Sequence, residues 1–359
     1  MGIPELVGKA QTVQGPIDAE DLGITLSHEH LLIDMAVWFE EPTACSGKLL
    51  AHQPVSCENL WFIRYHPNAM LDNLQLLDEQ LAISEVSRFK QFGGSTIVDM
   101  TNIGLGRDPQ ALFRISRATD LNIIMGCGYY VEEARPAGLT EDIMVEEIVH
   151  DITVGVGDTG IRAGMIGELG MSWPLRDSDR AVLRAAACVQ KQTGAPINIH
   201  PGNSPDSPFE IIEVLANSGA DISRVFMSHI DRTILTNRAH NTRVKLGKTG
   251  CYLGYDVFSY EGWYPRRMVV SETNPVKADF PNDAGRINEI MALIDEGFLK
   301  QILISHDVCT KHRLCRYGGP GYAHILQNVV PLMREKGMPE EHIQTILVEN
   351  PKRMLQFVG

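Results

Sequence analysis

No run of about 18 consecutive apolar residues occurs in this 359-residue chain, and a membrane-spanning helix needs one. The opening Met1-Gly2-Ile3-Pro4-Glu5-Leu6 has neither a basic flank nor an apolar block, so no secretory signal peptide is expected. Leu6 stands where a myristoylation signal wants Ser or Thr. Basic residues are in the minority: 32 Lys and Arg against 45 Asp and Glu leave a net charge of −13. That balance argues against a nucleic-acid binder, whose phosphate partner demands a basic patch, and reads as solubility. Seven cysteines are scattered without a C-x-x-C pair. They read as reduced thiols of a cytoplasmic protein, with Cys127, Cys188 and Cys251 filling core. No linker rich in Pro, Gly or Ser, no internal repeat and no low-complexity tract divides the sequence, so one domain over residues 1–359 is expected.

What the chain does contain is an alternation. Short apolar, strand-like runs occur at Ile24–His28, Ser95–Met100, Asn122–Gly128, Ala163–Glu168, Pro196–His200, Arg224–His229, Cys251–Asp256 and Gln301–Asp307. Helix-like stretches lie between them. Asp72–Phe92 is one, with Leu74, Leu77, Leu81, Val86 and Phe89 near helical spacing; Asp177–Thr193, opened by Asp177 as N-cap, and Asp283–Gly297 are others. Alternating strands and helices imply a parallel sheet with right-handed crossovers. Eight units over this length predict an α/β fold of the (β/α)8 TIM-barrel kind. A dinucleotide-binding fold would need a Gly-rich turn after the first strand, and none follows Ile24–His28. Two connections exceed simple turns, 36–71 with Trp38, Phe39, Trp61, Phe62 and Tyr65, and 257–282 with Phe258, Tyr260, Trp263, Tyr264, Arg266 and Arg267. Both leave strand C-termini and are placed over the active-site face.

His28 and His30 are two apart at the end of the first strand, so both imidazoles project from one face. The other strand ends supply Glu168, His200, His229 and Asp307. A lone polar residue at a strand end commonly caps the next helix. Six residues together, each a good ligand type, make a metal inventory at the barrel mouth.

The motifs Leu26-Ser27-His28-Glu29-His30, Gly167-Glu168-Leu169-Gly170, Ile199-His200-Pro201-Gly202, Met227-Ser228-His229-Ile230-Asp231-Arg232-Thr233 and Ile304-Ser305-His306-Asp307 resemble the amidohydrolase superfamily, in its phosphotriesterase-related branch. Ser172-Trp173-Pro174-Leu175, Tyr317-Gly318-Gly319 and Glu349-Asn350-Pro351 extend the resemblance over nearly the whole chain. It implies two divalent metal ions, zinc first, with manganese, cobalt or iron able to take the same donors. His28, His30 and Asp307 would hold the more buried ion and His200 and His229 the more exposed one. Glu168 would bridge them where true phosphotriesterases use a carbamylated lysine. A hydroxide generated between the metals would attack the substrate, with Asp307 passing the proton to the leaving group.

The implied activity is hydrolysis of a small N-acyl amino acid or N-acyl amino sulfonate. Lactonase, carboxylesterase or phosphotriesterase action on the same site is the first alternative, and a non-catalytic metal- or ligand-binding protein the second. Arg232 could orient a substrate anion or pair with Asp231; Tyr129, Tyr130 and Asn203 are further candidates for substrate contact. Asn203 stands where relatives acting on N-acetyltaurine tend to have a basic residue, and Asp256-Val257-Phe258-Ser259 lacks the arginine of lactonase members. Glu29 and His306 are expected to face away from the metals. The partner is a small-molecule substrate, with no nucleic acid and no membrane, and the resemblance is compatible with a homodimer.

Overall fold

The computed structural model describes residue 3 and residues 5–235, 239–260 and 280–359. Eight strands among the described residues form one sheet in sequence order: β1 Thr25–Glu29, β2 Thr96–Asp99, β3 Asn122–Cys127, β4 Met165–Gly170, β5 Ile197–His200, β6 Val225–Met227, β7 Tyr252–Tyr255 and β8 Ile302–Ile304. Each pairs in parallel with the next. β8 returns to β1 through Ser27 Oγ on the Ile304 carbonyl (3.2 Å), the His28 amide on Ser305 Oγ (3.1 Å) and the Asp307 amide on the His28 carbonyl (3.2 Å). The sheet is thereby nearly closed into a (β/α)8 barrel, as the alternation predicts.

Helices α1 Glu79–Gln91, α2 Pro109–Thr119, α3 Glu141–Thr153, α4 Asp177–Thr193, α5 Ser207–Asn217, α6 Ala239–Gly247, α7 Asp283–Asp295 and α8 Val330–Glu335 follow the strands in turn. Strand alternation divides the apolar residues in two. Val98, Ile124, Met165, Phe226 and Leu303 form the inner core with Leu22, Met354 and Leu355, while Ile97, Ile123, Ile166, Leu253 and Ile302 pack outward with the helices. Among the described residues no helix is long and apolar enough to cross a membrane.

Several boundaries differ from expectation. The first long helix starts at Glu79 rather than Asp72, because the Asp78 carboxylate accepts the Gln80 and Leu81 amides (2.9 and 3.0 Å). Residues Leu71–Leu74 form a 3-10 turn instead, and Gln75–Leu76 pair with Ile33–Asp34. Helix α4 begins at Asp177, but its cap is Arg176: the Asp179 carboxylate accepts the Arg176 amide (3.1 Å) and pairs with Arg135 (2.7 Å). Cys127 and Cys251 are buried as expected, whereas Cys188 is only half-buried, on α4. The connection 36–71 carries the short helices Cys45–Ala51 and Leu60–Tyr65 and leaves Trp61 exposed. Trp263, Tyr264, Arg266 and Arg267 lie outside the described residues.

The ligand-type residues reach the mouth through local breaks in the strand pattern. Pairing of β1 with β2 is irregular between Leu26 and Glu29. Leu26 therefore packs outward while His28 lies among the strand-end histidines. The β4–β5 pairing is likewise irregular between Ile166 and Leu169, beside Glu168. Gly167 has φ +138°, and a Cβ there would stand 2.5 Å from the Asn198 carbonyl oxygen, so the residue before Glu168 must be glycine. His229 (φ +57°) and Asp307 (φ +54°) are left-handed, a conformation that costs non-glycine residues energy and collects at functional sites.

Candidate metal centre and active-site cavity

Six side chains from five strand ends converge. Glu168 Oε1 lies 2.6 Å from His200 Nδ1, 3.0 Å from His229 Nε2 and 3.6 Å from His28 Nε2. Its Oε2 is 3.8 Å from His30 Nε2. Asp307 Oδ1 is 3.4 Å from His30 Nε2 and 3.7 Å from His28 Nε2. The donors make two metal-sized groups sharing His28: His28, Glu168 and His229, and His28, His30 and Asp307.

These residues fit divalent metal. His28 Nε2 is buried and has no hydrogen-bond partner, yet it faces both carboxylates. A buried polar atom left unpaired costs about 1–3 kcal/mol, so the arrangement is explained by a ligand to that nitrogen. Two donors on one tetrahedral metal, each about 2.1 Å from it, stand roughly 3.4 Å apart. The His30–Asp307 separation matches that spacing and exceeds a charge-assisted hydrogen bond.

The groups behind the histidines orient them. The Asp256 carboxylate accepts from the His229 amide (2.7 Å) and meets His229 Nδ1 at 2.8 Å and His28 Nδ1 at 3.2 Å. Ser228 Oγ also reaches His28 Nδ1 (3.0 Å), and Thr101 Oγ1 reaches His30 Nδ1 (3.0 Å). With Nδ1 engaged, Nε2 of all three rings is presented to the cluster. Asp256 was passed over as a functional residue in the sequence, although it ends the seventh strand run and so obeys the rule that found the others.

Burial favours the neutral forms here; neighbouring charges overturn it at His229, Asp256 and Glu168, and burial prevails at His200. Burial pulls His229 down, but Asp256 outweighs it and raises the pKa to about 10. Burial opposes ionisation of Asp256 and Glu168, yet the histidines hold both carboxyls below their usual range, Glu168 well below. Burial, with help from Arg232, lowers His200 to about 4, so its ring is neutral near pH 7.

Above the cluster lies a cavity of about 270 Å³ lined by His30, Tyr130, Glu168, His200, Asn203, Arg232 and Asp307, among others. Tyr130 lies with its hydroxyl 3.5 Å from His200 Nδ1. Tyr129 does not reach the cavity. It is buried, with its hydroxyl on Glu147, because consecutive residues leaving β3 point opposite ways. Arg232 Nη2 sits 3.0 Å from His200 Nε2 at the cavity wall. Of the two roles open to it, pairing with Asp231 is not the one found: Asp231 turns inward to Arg286 (2.7 Å), and both side chains are fully buried. Removing one partner of such a pair strands a charge. Arg286→Met should therefore lower unfolding free energy by about 3–5 kcal/mol in a urea titration; a loss near zero would mean that Asp231 finds another partner. Glu29 and His306 face away from the cluster and bond to each other (2.7 Å).

Residues 8–355 match the model of the phosphotriesterase family. An N-acetyltaurine hydrolase of Dictyostelium discoideum is 40% identical, the alignment covering 99% of each chain. A phosphotriesterase-related protein of Nematostella vectensis is 42% identical over 98% of this chain and 99% of its own. Among solved structures, a resiniferatoxin-binding protein from Rhodobacter sphaeroides superposes with a TM-score of 0.90 at 34% identity, covering 97% of this chain and 95% of that one. Match, coverage and barrel agree: the chain belongs to the phosphotriesterase family of hydrolases.

Proposed function

We propose that this hydrolase cleaves the amide of a small N-acyl amino acid or N-acyl amino sulfonate. Two divalent cations, zinc in the first instance, would be held by His28, His30 and Asp307 and by His200 and His229, with Glu168 shared between them. The observation that carries the reading is the convergence of His30, Glu168, His229 and Asp307 around the partnerless His28 Nε2, with His200 joining them through Glu168 Oε1. Bound there, the cations would supply an activated water and polarise the scissile carbonyl.

The chain's own residues do the rest. The Asp307 side chain is 15% exposed and borders the cavity, whereas Glu168 is 3% exposed. Asp307 can thus take a proton from the attacking water and return it to the departing nitrogen. An amide needs that return, because an amine leaves poorly unless protonated.

The cavity is two-sided. Ile33, Met35 and Trp38 follow β1 and Leu105 follows β2, giving an apolar arc that Glu40 and Asn68 of the same β1 connection border. Asn203 follows β5 and Arg232 follows β6, on the opposite side of the barrel. An apolar acyl group suits the first arc, and the carboxylate or sulfonate of the amine half suits Arg232. The N-acetyltaurine hydrolase name of the Dictyostelium relative agrees with an anionic amide. Lactones, esters and phosphotriesters would also suit such a metal pair; Arg232 opposite the apolar arc and the anionic amide named for the Dictyostelium relative favour the amide.

The test is free-amine release by zinc- or manganese-loaded protein across N-acyl amino acids and N-acetyltaurine, with lactones and an aryl ester alongside. Chelator-sensitive release from a narrow set of anionic amides is the expected result. Silence on amides with turnover of lactones or esters would overturn the substrate class and leave the metal chemistry standing. In the same assay Arg232→Met should lower kcat/KM for an anionic amide about tenfold to hundredfold, the worth of a charged hydrogen bond. A neutral amide and the metal content should be unaffected; parallel losses on both substrates would remove Arg232 as the anion anchor.

A further inference from the structure

Glu29 lies between the two histidines of the first strand and faces away from them, yet it is fully buried. Its carboxylate accepts four hydrogen bonds, all from the segment carrying Asp307. Oε1 takes the Ser305 hydroxyl (2.7 Å), the His306 amide (2.9 Å) and His306 Nδ1–H (2.7 Å), and Oε2 takes the Val308 amide (2.9 Å). The Ile325 amide donates to His306 Nε2 (3.0 Å), which leaves the ring proton on Nδ1 for Glu29. The Ser305 hydroxyl that donates to Glu29 also accepts the His28 amide (3.1 Å).

The two amides that Glu29 binds flank Asp307, which is left-handed at φ +54°. A β-strand would send the amides at 306 and 308 to the same neighbouring strand. Here one carboxylate gathers both, which bends the chain around the residue between them. A carboxylate suits the task because all four partners are donors; a glutamine would turn an N–H against one of them.

We infer that Glu29 is a positioning residue for Asp307: it clamps residues 305–308 to the first strand, so that His28, His30 and Asp307 keep the spacing of one metal site. The inference rests on the metal reading above. It adds that the geometry of this site is set from outside the barrel mouth, by a residue that touches neither metal nor substrate.

The test is equilibrium binding of cobalt(II) alone, followed by metal analysis and the visible spectrum of the bound ion, on wild type, Glu29→Gln and Ser305→Ala. Circular dichroism and thermal melts report the fold. In Glu29→Gln one of two cobalt sites should weaken by about tenfold to hundredfold, the usual effect of losing a group that orients ligands. Its spectrum should change, and kcat should fall with KM held. Ser305→Ala should move the same site in the same direction by less, and it decides the matter if Glu29→Gln does not fold. Wild-type cobalt affinity and spectrum in a folded variant, with only the melting temperature lowered, would overturn the inference and leave Glu29 as scaffold. A wild-type chain that binds no cobalt would overturn the metal reading itself, a result distinct from variant and wild type binding alike.

Discussion

Replacing Glu168 with alanine should release metal from both sites at once and lower hydrolysis by at least about a thousandfold. Its two oxygens lie 2.6–3.8 Å from the nitrogens of His200, His229, His28 and His30, so it is the side chain that faces every imidazole of the cluster. Removing a single histidine leaves the other donors in place. Removing Glu168 takes away the shared donor and the negative charge that offsets two cations. Four ring nitrogens would then have to hold dications in a buried space with Asp307 as the remaining facing carboxylate, which is unfavourable without compensating charge. The check is metal content after dialysis against a metal buffer, measured beside His200→Ala. His200 is 13% exposed at the edge of the cluster and meets Glu168 but not Asp307 or Asp256, so its loss should empty one site and spare the other. Full metal content in Glu168→Ala would show that the two sites do not share it.

How much of this was legible in the sequence depends on what each residue needs from the backbone. The eight strands and their order followed from apolar runs of strand length separated by helical spacing, and each predicted run overlaps an observed strand. The ligand types at the strand ends could be listed because chemistry marks them one residue at a time. What the pattern could not reveal is how they are aimed. His28 and Glu168 sit at register shifts, and His229 and Asp307 at left-handed turns. Each depends on pairing with a neighbouring strand, which leaves no local signature. Asp256 was legible by its place at the end of the seventh strand run, but its partners were not: it acts on His229 and His28, which lie 27 and 228 positions away. Tyr129 and Tyr130 were indistinguishable as neighbours until the end of β3 fixed which one faces the cavity. The start of α1 was misplaced because Leu74 and Leu77 continue the apolar spacing of the helix, while the cap that begins it is the polar Asp78.

Asp307→Asn should cut amide hydrolysis by about a hundredfold to ten-thousandfold in kcat, the range expected when a proton carrier is lost. The substitution isolates chemistry from folding. Asparagine adopts left-handed backbone as readily as aspartate, so the φ of +54° is not a reason for collapse. Its carbonyl oxygen can still approach a cation, so metal content should remain close to that of wild type. What asparagine cannot do is accept a proton from water and return it to nitrogen. The leaving group therefore separates the two roles of this residue. An aryl ester expels a phenolate that needs no proton, and its rate should fall much less than that of the amide. A loss shared equally by amide and ester, with metal retained, would mean that Asp307 serves only as a ligand and that the proton reaches the amine by another route. A loss confined to the amide would place the proton at Asp307 and explain why the more exposed of the two cluster carboxylates is the one carried on left-handed backbone.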